Sequence, residues 1–216
     1  MRSESAAGGA TWQHEGISFL TRLLKGIQMQ KLLFMLVAAA SLMLMGCEIG
    51  VPKGITPVKN FDSQRYLGDW FEIARLEHSY EKGLNNITAN YSLREDGGIR
   101  VLNRGYDPEK KEWRTAEGKA YFVESPDIGY LKVSFFGPFY GSYVVFDLDE
   151  AYQYSYVTGP DRKYLWFLSR TAHVDDAALK RFIKKADELG FDTTKLIYVD
   201  QGGVEAPKTQ AMGAKD

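Results

Sequence analysis

The chain has 216 residues, is 44% hydrophobic and 13% aromatic, and carries a formal charge of -1. That size fits one domain with appendages and enough apolar mass for a core, which argues against global disorder, and the near-neutral balance gives no basic footprint for nucleic acid. A single cysteine, Cys47, excludes an intramolecular disulfide and any zinc site built on several thiolates.

Residues 1–28 combine Trp12, Glu15, Arg22 and Lys25 in no targeting pattern and read as an extended N-terminus, with Met29 as the true start. Residues 29–46 then read as a signal peptide: Lys31 supplies the positive end, and an apolar run follows to Met45, broken only by Ser41. The run is shorter than the ~20 apolar residues of a spanning helix, although a retained signal anchor is the alternative. Leu44-Met45-Gly46-Cys47 resembles the bacterial lipobox. That resemblance implies cleavage after Gly46 and acylation of Cys47, and several acyl chains meet the requirement for stable anchoring. Glu48 follows the cysteine where, in enterobacterial lipoproteins, an aspartate marks inner-membrane retention, so the resemblance implies the periplasmic side of the outer membrane. Residues 47–59, with Pro52, Gly54 and Pro57, read as a lipidated tether.

Residues 60–201 read as the folded domain. Strands are expected over 70–76, 86–94, 99–106, 112–123, 130–136, 142–148, 152–157 and 164–170, from period-2 alternation between turn signals such as Glu95-Asp96-Gly97-Gly98 and Gly159-Pro160-Asp161. Gly118 is expected to bend the fourth strand. No helical crossover separates the strands, so neighbours pair antiparallel. One helix follows, with Asp175 as N-cap, Leu179, Phe182, Ile183, Ala186 and Leu189 in a stripe, and Gly190 at its end. Residues 195–200 read as a last short strand and 202–216 as a disordered tail. The fold class is all-β: an eight-stranded antiparallel up-and-down barrel, with the helix packed outside and room inside for one small ligand.

Gly68-Asp69-Trp70 at the first strand resembles the G-x-W signature of lipocalins. Its surroundings, Phe61-Asp62, Arg65-Tyr66-Leu67-Gly68 and Trp70-Phe71-Glu72-Ile73-Ala74-Arg75, are similar to the apolipoprotein-D-like branch. Lys132-Val133-Ser134-Phe135-Phe136-Gly137-Pro138-Phe139-Tyr140-Gly141 and Tyr164-Leu165-Trp166-Phe167-Leu168-Ser169-Arg170 look like the bacterial members of that branch. The resemblance implies that Arg170 stacks on Trp70 beside Gly68 and closes one end of the barrel. The family's T-D-Y motif is poorly kept: Asp147-Leu148-Asp149-Glu150 has the acids without the threonine or the tyrosine.

The resemblance further implies fatty acid, phospholipid or lysophospholipid cargo, no cofactor and no metal. Alternation proposes the ligand-facing positions Ile87, Ala89, Tyr91, Ile99, Val101, Leu131, Val133, Phe135, Tyr143, Val145, Tyr154, Tyr156, Tyr164 and Trp166; packed core is the competing reading for each. No charged residue falls in this set. His78, His173, Glu72 and Glu117 read as ordinary polar positions, and without a nucleophile–base constellation no enzyme is expected. A structural envelope lipoprotein without a ligand is the third class. The apolar Phe136 to Gly141 loop could touch membrane, form a homodimer contact or cover the cavity.

Overall fold

A computed structural model describes residues 49–202. The readings of residues 1–28, of the signal segment, of Cys47 and of the tail after residue 202 lie outside the described residues. Eight strands follow one another: β1 (Gly68–Arg75), β2 (Asn85–Leu93), β3 (Ile99–Asp107), β4 (Glu112–Phe122), β5 (Tyr130–Phe136), β6 (Phe139–Leu148), β7 (Tyr154–Thr158) and β8 (Leu165–Ser169). Each of β2 to β8 pairs antiparallel with its neighbour, and β1 pairs with both β8 and β2, so the sheet closes on itself. Closure removes the edges that would invite aggregation.

The seam between β1 and β2 is only half joined by strand pairing, over Gly68 to Phe71 of β1. Beyond it the C-terminal segment fills the gap. The two-residue β9 (Ile197–Tyr198) pairs with Ala74 and Arg75. The Gln201 amide donates to the Glu72 and Ile87 carbonyls, at 2.7 and 2.8 Å, bridging the two strands.

Two apolar cores result from the two faces of this sheet. Trp70, Ala89, Tyr91, Ile99, Val101, Leu131, Val145 and Val157 pack inside the barrel. Outside it, Ala74, Phe146, Tyr156, Leu165 and Phe167 receive α2 (Asp176–Glu188) through buried Ala178, Phe182 and Ala186. The helix starts where Asp175 accepts the Ala178 N–H at 2.6 Å and stops at Gly190, whose φ of +78° suits a glycine.

Three expectations are corrected. Residues 50–59 are no free tether: Ile55 is buried, the Val58 N–H donates to the Val145 carbonyl, and Lys59 bridges to Ile128. Apolar Ile55 and Val58 have wall to cover, so the segment docks. Gly118 makes no bend, since β3 and β4 pair without interruption from Asp107–Glu112 to Ile99–Ala120. A Cβ there would come within 2.8 Å of the Phe135 ring, so the glycine is a seat for that ring. Tyr154 and Tyr156 face outward, where Tyr156 meets Phe182 at 5.0 Å between centroids. Because α2 covers β7, both faces of that strand are buried, and the inward positions fall to Ser155 and Val157.

Candidate functional site

The closed end is built around a four-residue helix, α1 (Ser63–Tyr66), capped by the Asp62 side chain on the Gln64 and Arg65 N–H groups. It lays the Tyr66 ring on Trp70, 4.9 Å between centroids, and the Trp70 indole donates to the Tyr66 carbonyl at 2.9 Å. Arg170 lies 3.9 Å over the Trp70 ring and donates to the carbonyls of Arg65, Leu67 and Asp69 at 2.7–2.9 Å. Gly68, with φ of +91°, brings the backbone beside this guanidinium. Those are structural contacts. They tie Arg170 to the bottom of the barrel.

Above this plug the barrel is full. The Tyr143 hydroxyl bonds those of Tyr66 and Tyr91 at 2.8 and 2.9 Å, and Tyr66 also bonds Ser155 at 2.9 Å. Burial pushes the Tyr66 hydroxyl up to about 12 and those of Tyr91 and Tyr143 well above the ordinary tyrosine value, so all three stay protonated. The void left beside them, lined by residues including Ile99, Val101, Leu131 and Val133, is about 20 Å³. That is little more than one water occupies. Of the ligand-facing candidates, Tyr91, Ile99, Val101, Leu131, Tyr143 and Val145 therefore lie in or against a packed layer.

Nearer the mouth the lining is partly polar. Asn103 and Ala116 face each other across β3 and β4 on the inward side, yet Asn103 is half-buried and Ala116 is exposed. The Asn103 Oδ1 is buried without a hydrogen-bond partner. Ile87, Ala89, Val133, Phe135 and Trp166 supply apolar wall at this level, with Tyr164 stacked on Trp166 at the rim.

This upper region also holds charge, which corrects the expectation of a charge-free interior. A bulge in β1 between Glu72 and Ala74 breaks the alternation and turns both Glu72 and Arg75 inward. They pair at 3.0 Å with almost no exposure. The Arg75 guanidinium donates also to the Glu81 carbonyl at 2.9 Å, while its Nε has no partner. Glu81, in the loop that crosses the mouth between β1 and β2, accepts from the Trp166 indole at 3.2 Å and lies 3.0 Å from His78 Nε2. His78 is buried against Trp166 rather than solvated. Burial, reinforced by the Glu81 charge, holds Glu72 well above the usual carboxylate range despite Arg75. At Glu81 burial works the other way from the outcome: contacts with His78 and Trp166 hold its carboxyl below that range. Arg75 thus stands between two carboxyl groups, Glu72 paired with it and Glu81 nearby.

Tyr154 and Tyr156 line a separate concavity of about 280 Å³ outside the barrel, between α2 and the β6–β7 turn. Its walls carry Asp147, Lys185 and Glu188, and Lys185 pairs with Asp147 at 3.2 Å. Glu117 pairs with Arg100 on the outer face. In the poorly kept family motif, Asp149 accepts the N–H groups of Ala151, Gln153 and Tyr154 and so organises the β6–β7 turn.

The family described as Lipocalin-like domain matches residues 61–201. The outer membrane lipoprotein Blc of Vibrio cholerae is 59% identical over 162 residues, covering 74% of this chain and 94% of that protein. Its namesake in Escherichia coli K12 is 50% identical over 167 residues, 77% of this chain and 94% of that one. Among solved structures, insecticyanin of the tobacco hornworm aligns over 70% of this chain and 87% of its own, with a TM-score of 0.55 at 22% identity, a likeness of fold. A family match across the whole barrel, together with bacterial relatives at 50–59% identity, makes this chain a member of the lipocalin family, a bacterial lipocalin.

Proposed function

We propose that this outer-membrane lipoprotein, acylated at Cys47, carries fatty acids, lysophospholipids or phospholipids in the upper lumen of its barrel, for storage or transport in the cell envelope. What supports this reading is the lipocalin barrel, with apolar lining at Ile87, Ala89, Phe135 and Trp166 on the mouth side of the tyrosine layer and a buried, unpartnered Asn103 Oδ1. Few polar groups on a mostly apolar wall is the usual composition of a ligand site. The acyl chain enters between these walls and stops at the tyrosine layer, and an anionic head group comes to lie near Arg75 at the mouth. The sole cysteine lies outside the barrel sequence, and binding rather than catalysis is the role the site suits.

Delipidated protein titrated with a fluorescent fatty acid is expected to bind at roughly micromolar strength, about −8 kcal/mol, and lysophospholipid is expected to compete. The void of about 20 Å³ in the lower barrel favours a second reading, a structural envelope lipoprotein without cargo. Absence of binding up to the solubility limit would remove the carrier and leave that one.

A further inference from the structure

We infer that the mouth end of the barrel faces the same lipid surface that holds the anchor, with the tip of the β5–β6 hairpin as the point of contact. The inference rests on the acylation of Cys47 in the reading above.

The path of residues 50–59 sets the orientation. The Gly50 N–H donates to the Ser142 hydroxyl at 2.7 Å, on the half of β6 nearer the mouth. Arg162, in the mouth-side loop between β7 and β8, donates to the Lys53 carbonyl at 2.5 Å. Farther along, Val58 and Lys59 are tied to Val145 and to Ile128 at the closed end. The segment therefore enters at the mouth and descends the wall to the plug. Three residues separate Cys47 from Gly50, a reach of at most about 10 Å. Three residues of β6 separate Ser142 from Phe139, again about 10 Å. Membrane-bound acyl chains on Cys47 can thus sit level with the hairpin tip.

That tip is apolar and uncovered. Phe136 is 77% and Phe139 54% exposed, and Tyr80, on the loop across the mouth, is 70% exposed. Exposed apolar residues scattered singly need no explanation, but the paired Phe136 and Phe139 at one hairpin tip beside the anchor do. Entering the interfacial region of the bilayer gives these rings an apolar environment and adds to the acyl anchor. Cargo would then pass between bilayer and lumen without crossing water.

The test uses the full acylated protein in vesicles of phosphatidylethanolamine and phosphatidylglycerol. An environment-sensitive fluorophore is placed on Phe136→Cys at the tip, on Lys110→Cys in a polar rim loop that leaves both phenylalanines intact, and on Leu93→Cys at the closed end. The tip and rim labels are expected to shift to the blue and lose emission to doxyl-labelled lipid, while the Leu93 label stays as in solution. Equal quenching at both ends, or stronger quenching at Leu93, would overturn the orientation. A shielded tip label untouched by doxyl lipid, with cross-linked dimers, would assign the tip to a second copy and also overturn it. A mature mass without acyl chains removes the anchor and this orientation with it. The fatty-acid titration reports on the cargo reading independently of all three outcomes.

Discussion

Replacing Arg75 by methionine tests whether the ion pair inside the barrel is the coupled unit that its geometry describes. Methionine keeps most of the buried volume but leaves Glu72, 3% exposed, without its counter-charge. Breaking a buried pair by removing one partner costs about 3–5 kcal/mol when the survivor stays charged. Glu72 has an escape, because its folded carboxyl already sits well above its ordinary value of 4.5 through burial and the nearby Glu81 charge. A group raised in the fold gives stability that is complete below its unfolded pKa and lost as pH rises through the folded one. Arg75→Met removes the main influence pulling Glu72 down, so the decline in stability that starts above 4.5 should extend to higher pH than in the wild type. The slope can reach about 1.4 kcal/mol per pH unit at most. Urea denaturation at several pH values measures it. Adding Glu72→Gln should restore much of the loss and flatten the pH dependence, because a neutral pair of similar volume is often as stable as the ion pair. A pH-independent loss, with Glu72→Gln merely adding to it, would refute the coupling.

The closed end and the tyrosine layer give two more expectations. Trp70→Ala removes a fully buried ring that Arg170 covers and should cost about 3–5 kcal/mol in chemical denaturation, with cargo preference unchanged; altered preference at an unchanged melting temperature would contradict its place in the plug. The Tyr66 hydroxyl, raised from 10.0 to about 12, contributes stability that is present below pH 10 and lost as pH climbs toward 12, a loss of about 3 kcal/mol. Tyr66→Phe should therefore show a shallower alkaline decline, and an identical decline would mean that another group controls it.

The barrel was legible because most of its strands have one wet face and one dry face, so alternation reports direction. Ala89, Tyr91, Val101, Leu131 and Val133 carry that signal and pack inside. Where both faces are dry the signal vanishes. β7 lies under α2, so Tyr156 is buried on one face as Ser155 and Val157 are on the other, and the aromatic side turns out to be the outer one. The bulge at Ile73 is invisible to a period-2 pattern, and it sets Arg75 on the inner face, where strict alternation from Trp70 would put it outside. His78 and Glu81 stand in an irregular loop, where spacing says nothing about burial. The apolar residues Val51, Ile55 and Val58 were the available sign that the presumed tether would dock.

Tyr66 and Ser155, which alternation missed, complete the layer that separates the two halves of the barrel. Tyr66, Tyr91 and Tyr143 satisfy one another and Ser155, so the lower half gains nothing by admitting a ligand and would lose three hydrogen bonds by doing so. The upper half is different: Asn103 Oδ1 and Arg75 Nε have no partner. Unpaired buried polar groups are costly, and they persist where an incoming molecule or water completes them. Stability is therefore concentrated at the plug and the tyrosine layer, and adaptability at the mouth. A cargo head group that paired with Arg75 would compete with Glu72, whose raised pKa lets it yield the guanidinium by taking up a proton. Cargo binding and protonation of Glu72 would then be linked, and an anionic lipid should bind more tightly as pH falls toward the range in which Glu72 is neutral.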